Sequence, residues 1–186
     1  VKAIPSYTDG KGTVNLNTTL QNLTTKNAKD LHLRWSIYKN RLFADDNELV
    51  ATFEDAKAKT VCNSKRQADV RQTLTVNNAA AWTAEEPNVY VLVGELMQGK
   101  KVVETISFQT GFRTVEIKDT PASQDEFGLA GRYYYINGKP VKLKGVNRHD
   151  TNPLTGKVIS REQMEHEIML MKRANINHIR TSHYPN

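Results

Sequence analysis

The sequence predicts a mainly β chain. An immunoglobulin-like β-sandwich should cover residues 1–116, with a linker over 117–131 and a β-hairpin plus a βαβ unit over 132–186. Three observations lead there. Short runs before residue 117 alternate apolar with polar residues, the period of half-buried strands. Asn137-Gly138 between two strand-like runs is the strongest short hairpin signal. Past residue 160 the period changes to that of a helix, with a strand on either side.

In chain order, Val14, Leu16, Thr18 and Leu20 alternate with Asn15, Asn17, Thr19 and Gln21. Leu31, Leu33, Trp35 and Ile37 then oppose His32, Arg34, Ser36 and Tyr38. Val70, Gln72, Leu74 and Val76 oppose Arg71, Thr73 and Thr75. Two further strands, 89–97 and 102–109, flank Gln98-Gly99-Lys100-Lys101, and 112–117 closes the series. Such strands without a helical period argue an antiparallel sandwich, with Trp35 as its core tryptophan. In the second part 133–136 and 140–146 form the hairpin, and 147–157 is a polar loop. Ser160 with Gln163 reads as a capping box. Met164, Ile168 and Met171, beside Leu170 and Ala174, mark the buried stripe of a helix over 161–174, and 176–181 is a strand.

Composition sets the function classes aside or keeps them. At 38% hydrophobic and 25% charged residues the chain is globular, not a disordered tail. No run approaches the roughly 18 apolar residues of a membrane-spanning helix. The single Cys62 can form neither an internal disulfide nor a zinc site, and leaves cytoplasm and periplasm equally open. The net charge of +6 is spread out: residues 1–116 hold 15 basic and 13 acidic side chains, residues 117–186 hold 11 and 7. No block of five like charges occurs, so nucleic acid is not an expected partner. The start at Val1, without Met or a leader, and some seventy residues beyond one sandwich suggest a piece of a longer chain.

A βαβ unit needs a parallel sheet that continues beyond it. In a barrel of such units the reactive residues stand at the carboxyl ends of the strands. Arg148-His149-Asp150 follows one such strand, and Arg180 and His183 end the next, so the two sets should converge. Retaining glycoside hydrolysis needs two carboxyl groups about 5–5.5 Å apart. Here Asp150 alone lies at a strand end, and Glu162, Glu165 and Glu167 are expected on the solvent side of the helix. The chain should therefore not be a complete hydrolase.

Five segments then carry a resemblance: Trp82–Tyr90, Gly111-Phe112-Arg113, Ile136–Pro140, Gly145–Asp150 and Arg180–Asn186. From about Trp82 onward the sequence resembles glycoside hydrolase family 2; before it only the strand pattern agrees. Within the family it is most similar to members acting on terminal β-galactosides, through Asn147–Asp150 followed by Pro153 and Thr155-Gly156. The resemblance implies the sandwich, the connecting hairpin and the first βαβ unit of a truncated TIM (β/α)8 barrel. It also implies a β-galactoside substrate, with His149 and His183 contacting the sugar and Arg180 beside the nucleophile. Arg148 and Asp150 would support them. The acid and the nucleophile are expected beyond Asn186, so no catalytic residue is placed in this chain. The family's magnesium ligands likewise belong to the rest of the parent, and no metal is assigned here. The expected partners are the parent's remaining domains and further copies of the same subunit. The Trp82–Tyr90 segment is read as corner packing, with Phe112 buried and Arg113 paired. Two alternatives stay open: a β-glucuronidase or β-mannosidase relative, and a free-standing immunoglobulin-like interaction or carbohydrate-binding module. The second would leave 132–186 as a tail, against its ordered pattern.

Overall fold

The computed structural model describes residues 1–40, 47–55 and 59–183. The chain forms two compact units: residues 1–117 with 135–139, and residues 118–134 with 140 onward. The first unit is an antiparallel sandwich. Its strands are β1 (Lys2–Thr8), β2 (Lys11–Gln21), β3 (Ala28–Asn40), β4 (Glu48–Glu54), β5 (Thr60–Cys62), β6 (Gln67–Val76), β7 (Val89–Gln98) and β8 (Lys101–Thr110). One sheet runs β1-β2-β6; the other runs β4-β3-β7-β8, with β5 also on β3. This is the immunoglobulin-like arrangement the alternation implies.

The core lies between the sheets. Trp35, Ile37, Val14, Leu74, Leu92, Phe112 and Cys62 are fully buried. Gln72, on the inner face of β6, accepts a 3.0 Å hydrogen bond from the Trp35 indole Nε1, so the polar tip of the central ring is satisfied. Trp35 faces Gly94 across the β3–β7 ladder. A Cβ there would lie 2.5 Å from the ring, so only glycine fits beneath it. Phe112 is seated in the same way on Gly12 and packs edge-on to Tyr90, 4.8 Å between ring centroids. Arg113, expected to be ion-paired, instead places its guanidinium 4.2 Å over the Trp82 ring.

Two departures concern strands. The outward row of β3 is not open: His32 and Ser36 are buried, and His32 Nε2 is 2.9 Å from Glu54 Oε1. β3 is central, so long side chains from both neighbours fold over it. Arg34 donates to Glu95 at 2.7 Å, which holds the Glu95 carboxyl below its ordinary range. The expected closing strand at 112–117 is instead a single bridge from Phe112 to Ala81, followed by β9 (Val115–Thr120). β9 lies beside β10 (Gly131–Ile136), and β10 beside β11 (Lys139–Val141).

The β10–β11 turn has Asn137 at φ 51° and Gly138 at φ 75°, the two positive values of a type I′ turn. Asn137 also accepts from Thr114 N at 2.9 Å and donates to the Trp82 carbonyl at 3.1 Å. That side chain fixes the hairpin tip to the sandwich unit.

The expected strand 140–146 is two strands. After β11 the chain breaks at 142–144 and resumes as β12 (Gly145–Arg148), because the two ends join different sheets. Asn177 holds the break, accepting from Lys144 N at 2.8 Å and donating to the Lys142 carbonyl at 3.0 Å. Helix α1 (Arg161–Arg173) and β13 (His178–Thr181) follow, and β12 and β13 pair in parallel: a βαβ unit. Ser160 caps α1 by accepting from Gln163 N at 3.2 Å. The reciprocal half of the capping box is absent, since the Gln163 side chain bonds Asn152 and Glu167 instead. Ser160→Ala should cost about 1 kcal/mol, read as loss of helical circular dichroism at lower urea. An unchanged midpoint would mean the cap is not what starts the helix.

Candidate functional site

The β12–β13 pair aligns Gly145 with His178, Asn147 with Arg180 and Arg148 with Thr181. Alternation puts Val146, Arg148 and Ile179 on one face, with Asn147 and Arg180 on the other. Both strands end together, since Ser182 N donates to the Arg148 carbonyl at 2.9 Å. The next residues are His149 and His183, and the peptide bond preceding His183 is cis. Their rings meet edge to face, 5.5 Å between centroids and 86° between planes. Both histidines are exposed. Arg180 is exposed on β13, and among the described residues it is bonded to neither. The expected convergence thus joins the two histidines and leaves Arg180 apart. Tyr184, Pro185 and Asn186, the end of the last sequence segment, lie outside the described residues.

Arg148 and Asp150 are joined in a polar network. The Arg148 guanidinium bonds the Asp150 carboxylate through Nη1 and Glu167 Oε2 through Nε, the latter at 2.7 Å. Glu167 Oε1 accepts from Gln163 Nε2 at 2.9 Å, and Gln163 Oε1 accepts from Asn152 Nδ2 at 2.6 Å. Asn152 in turn closes the 152–156 turn through paired backbone bonds to Gly156, 2.7 and 2.9 Å. Burial pulls the Arg148 pKa down; the bonds from Glu167 and Asp150 outweigh it and hold the guanidinium above its ordinary value. Hydrogen bonds from Gln163 and then Arg148 hold Glu167 below the usual carboxylate range.

The sequence pattern puts Glu167 on the solvent side, and the structure corrects this. The half-buried row of α1 is Gln163, Met164, Glu167 and Met171, while Ile168 and Leu170 stay nearly half exposed. No residue of α1 is buried, because two strands present too little surface to cover a helix. The face is rotated toward Arg148 instead, and an acidic residue at the i+4 position from Gln163 is the signal for it.

Chemically, two imidazoles at the strand ends can donate and accept hydrogen bonds with a polyhydroxylated ligand. Asp150, the carboxylate that follows β12, is bonded to Arg148. Among the described residues no three His, Cys, Asp or Glu side chains gather to hold a metal ion.

Comparison with known proteins gives two family matches. Residues 1–113 match the model "Glycosyl hydrolases family 2", and residues 128–186 match "Glycosyl hydrolases family 2, TIM barrel domain". A beta-galactosidase of Priestia megaterium is 41% identical over 149 residues, covering 73% of this chain and 13% of that protein. One from Streptococcus thermophilus is 35% identical over 153 residues, covering 76% and 14%. The chain thus spans about a seventh of the length of these relatives. Among solved structures, a family 2 glycosyl hydrolase from Bacteroides cellulosilyticus superposes with a TM-score of 0.79 at 26% identity, over 98% of this chain and 23% of that one. A Bacteroides uniformis beta-glucuronidase superposes at 0.74 with 23% identity, over 99% and 20%, a likeness of fold.

Proposed function

The chain belongs to glycosyl hydrolase family 2, and from that premise we propose that it is part of a retaining hydrolase of terminal β-galactosides. It would supply the immunoglobulin-like domain, the connector and the first βαβ unit of the barrel, divided at about 116 and 131. The observation that carries the site is the ring contact of His149 and His183 at the ends of two adjacent parallel strands. Placed at the carboxyl rim of a barrel, these imidazoles hydrogen-bond sugar hydroxyls, most strongly as the ring approaches its oxocarbenium-like transition state. Arg180, on the same pair of strands, lends positive charge that favours a nearby nucleophile in its carboxylate form. The general acid, the nucleophile and the ligands for a divalent cation are supplied by parts of the parent outside these 186 residues.

The galactoside reading follows the relatives named above. The glucuronidase likeness is one of fold and does not carry a choice of sugar. Because the acid and the nucleophile are placed outside these residues, and Asp150 and Glu167 are both bonded to the Arg148 guanidinium, the purified chain should show no turnover of nitrophenyl β-galactoside, β-glucuronide or β-mannoside. Turnover of any of the three would overturn the placement of the catalytic carboxylates elsewhere. The intact parent should hydrolyse the galactoside at least about 100-fold faster than the glucuronide, well inside the roughly 10⁴–10⁵-fold that a hydrogen-bonding pocket can reach. The reverse preference would assign the site to glucuronides.

A further inference from the structure

We infer that Glu167 of α1 is a positioning residue: acting through Arg148, it sets the distance and angle between His149 and His183. The inference deepens the sugar-binding reading of the two histidines and rests on it.

Arg148 controls both rings through its own backbone. It immediately precedes His149, and its carbonyl accepts from Ser182 N, which immediately precedes His183. Any shift of Arg148 therefore moves the roots of both imidazoles at once. Beyond its place in the ladder to β13, Arg148 is held by its side chain, which is 12% exposed. The guanidinium reaches Asp150, two residues along the same loop, and Glu167 on the helix. Asp150 moves with the loop, so it cannot anchor it; Glu167 is fixed to a different element. It is steadied in turn by Gln163, one helical turn earlier. Glu162 and Glu165, the other acids of α1, are exposed, and Glu165 is spent on Arg161 at 2.7 Å. Among the described residues Arg148 Nη2 is buried with no partner, so Nε and Nη1 carry the anchoring. An exposed ion pair of this kind would do little. This one ties the helix to the strand end where the histidines begin, as a supporting shell fixes the orientation of binding groups.

The test is made on the 186-residue chain by NMR, reading the cross-peak between the ring protons of His149 and His183, with circular dichroism at 222 nm to follow α1. Glu167→Gln keeps the volume and removes the charge; Glu165→Gln makes the same change one turn away from the network. The expected result is a cross-peak weakened about threefold or more in Glu167→Gln and unchanged in Glu165→Gln, with the helix signal retained in both. That loss corresponds to about 20% widening under an inverse sixth-power dependence, on the order of 0.5 Å at close contact, the tolerance within which binding groups must be held. A cross-peak in Glu167→Gln equal to that of the unmodified chain overturns the inference. If Glu167→Gln melts the helix, Gln163→Ala decides, since it loosens Glu167 without changing charge. A weakened cross-peak there supports the inference, and an unaltered one overturns it. The readout involves no sugar, so its failure is distinct from failure of the galactoside assay.

Discussion

Trp35→Ala should cost the sandwich about 3–5 kcal/mol, the range for emptying a buried indole, while Gly94→Ala alone should cost about 2–3 kcal/mol through overpacking. Combined, the second change should add almost nothing. Trp35 is fully buried, hydrogen-bonded to Gln72 and packed edge-on to Phe108 at 6.0 Å. Its six-membered ring lies on Gly94, where a Cβ would meet ring carbons at 2.5 Å. Both positions are in central strands, β3 and β7, so neither backbone can yield without disturbing two ladders. Once the indole is gone, the methyl added by Gly94→Ala enters vacated space and the clash disappears. The coupling in a double-mutant cycle should therefore reach about 2 kcal/mol, well beyond the roughly 0.5 kcal/mol within which independent sites add. Urea unfolding followed by Trp82 fluorescence reads all four proteins, since Trp82 lies in the same unit. Additive costs would show that the ring does not rest on Gly94.

The strands β2, β3 and β6 are legible in the sequence because each turns an apolar row to the core and a polar row away from it, which writes a period of two directly into them, even though the polar row of β3 is itself partly covered. The strands β1, β4 and β5 escape that reading for reasons that share a cause. β1 pairs on one side only and contains Pro5, and β4 keeps Leu49 and Val50 exposed, so neither carries the pattern of a half-buried strand. The division of 140–146 is hidden because two short strands in different sheets read as one apolar run. In the second unit, the helix limits, the cap and both histidines can be placed from spacing alone. The orientation of α1 cannot. A stripe through Met164, Ile168 and Met171 assumes that burial is apolar, whereas the inward face here is shared with Gln163 and Glu167. Arg148 decides that rotation, and a helical pattern carries no record of a cation on a neighbouring strand.

Arg148→Met should unfold α1 at lower urea by about 2–3 kcal/mol, below the roughly 3–5 kcal/mol of breaking a fully buried pair because water reaches part of this one. The side chains of Arg148, Asp150 and Glu167 are 12%, 17% and 29% exposed. Removing the guanidinium leaves two half-buried carboxylates with no cation between them, which costs more than loss of the ion-pair attraction alone. Because α1 is the one α-helix among the described residues, ellipticity at 222 nm follows this unit, and tryptophan fluorescence, from Trp35 and Trp82, follows the sandwich. The fluorescence transition should stay in place. The same variant should also change the response to acid. Hydrogen bonds from Gln163 and Arg148 depress the Glu167 pKa in the folded chain. Its contribution is thus complete above the unfolded value of about 4.3 and drains away as pH falls through the lower folded value. Without Arg148 the depression is smaller, with Gln163 its main remaining cause, so the stability of α1 should fall less steeply as the pH drops below about 4.3. A helix transition that stays in place, or an acid response as steep as that of the unmodified chain, would show that Arg148 does not hold the helix to the strand ends that carry His149 and His183.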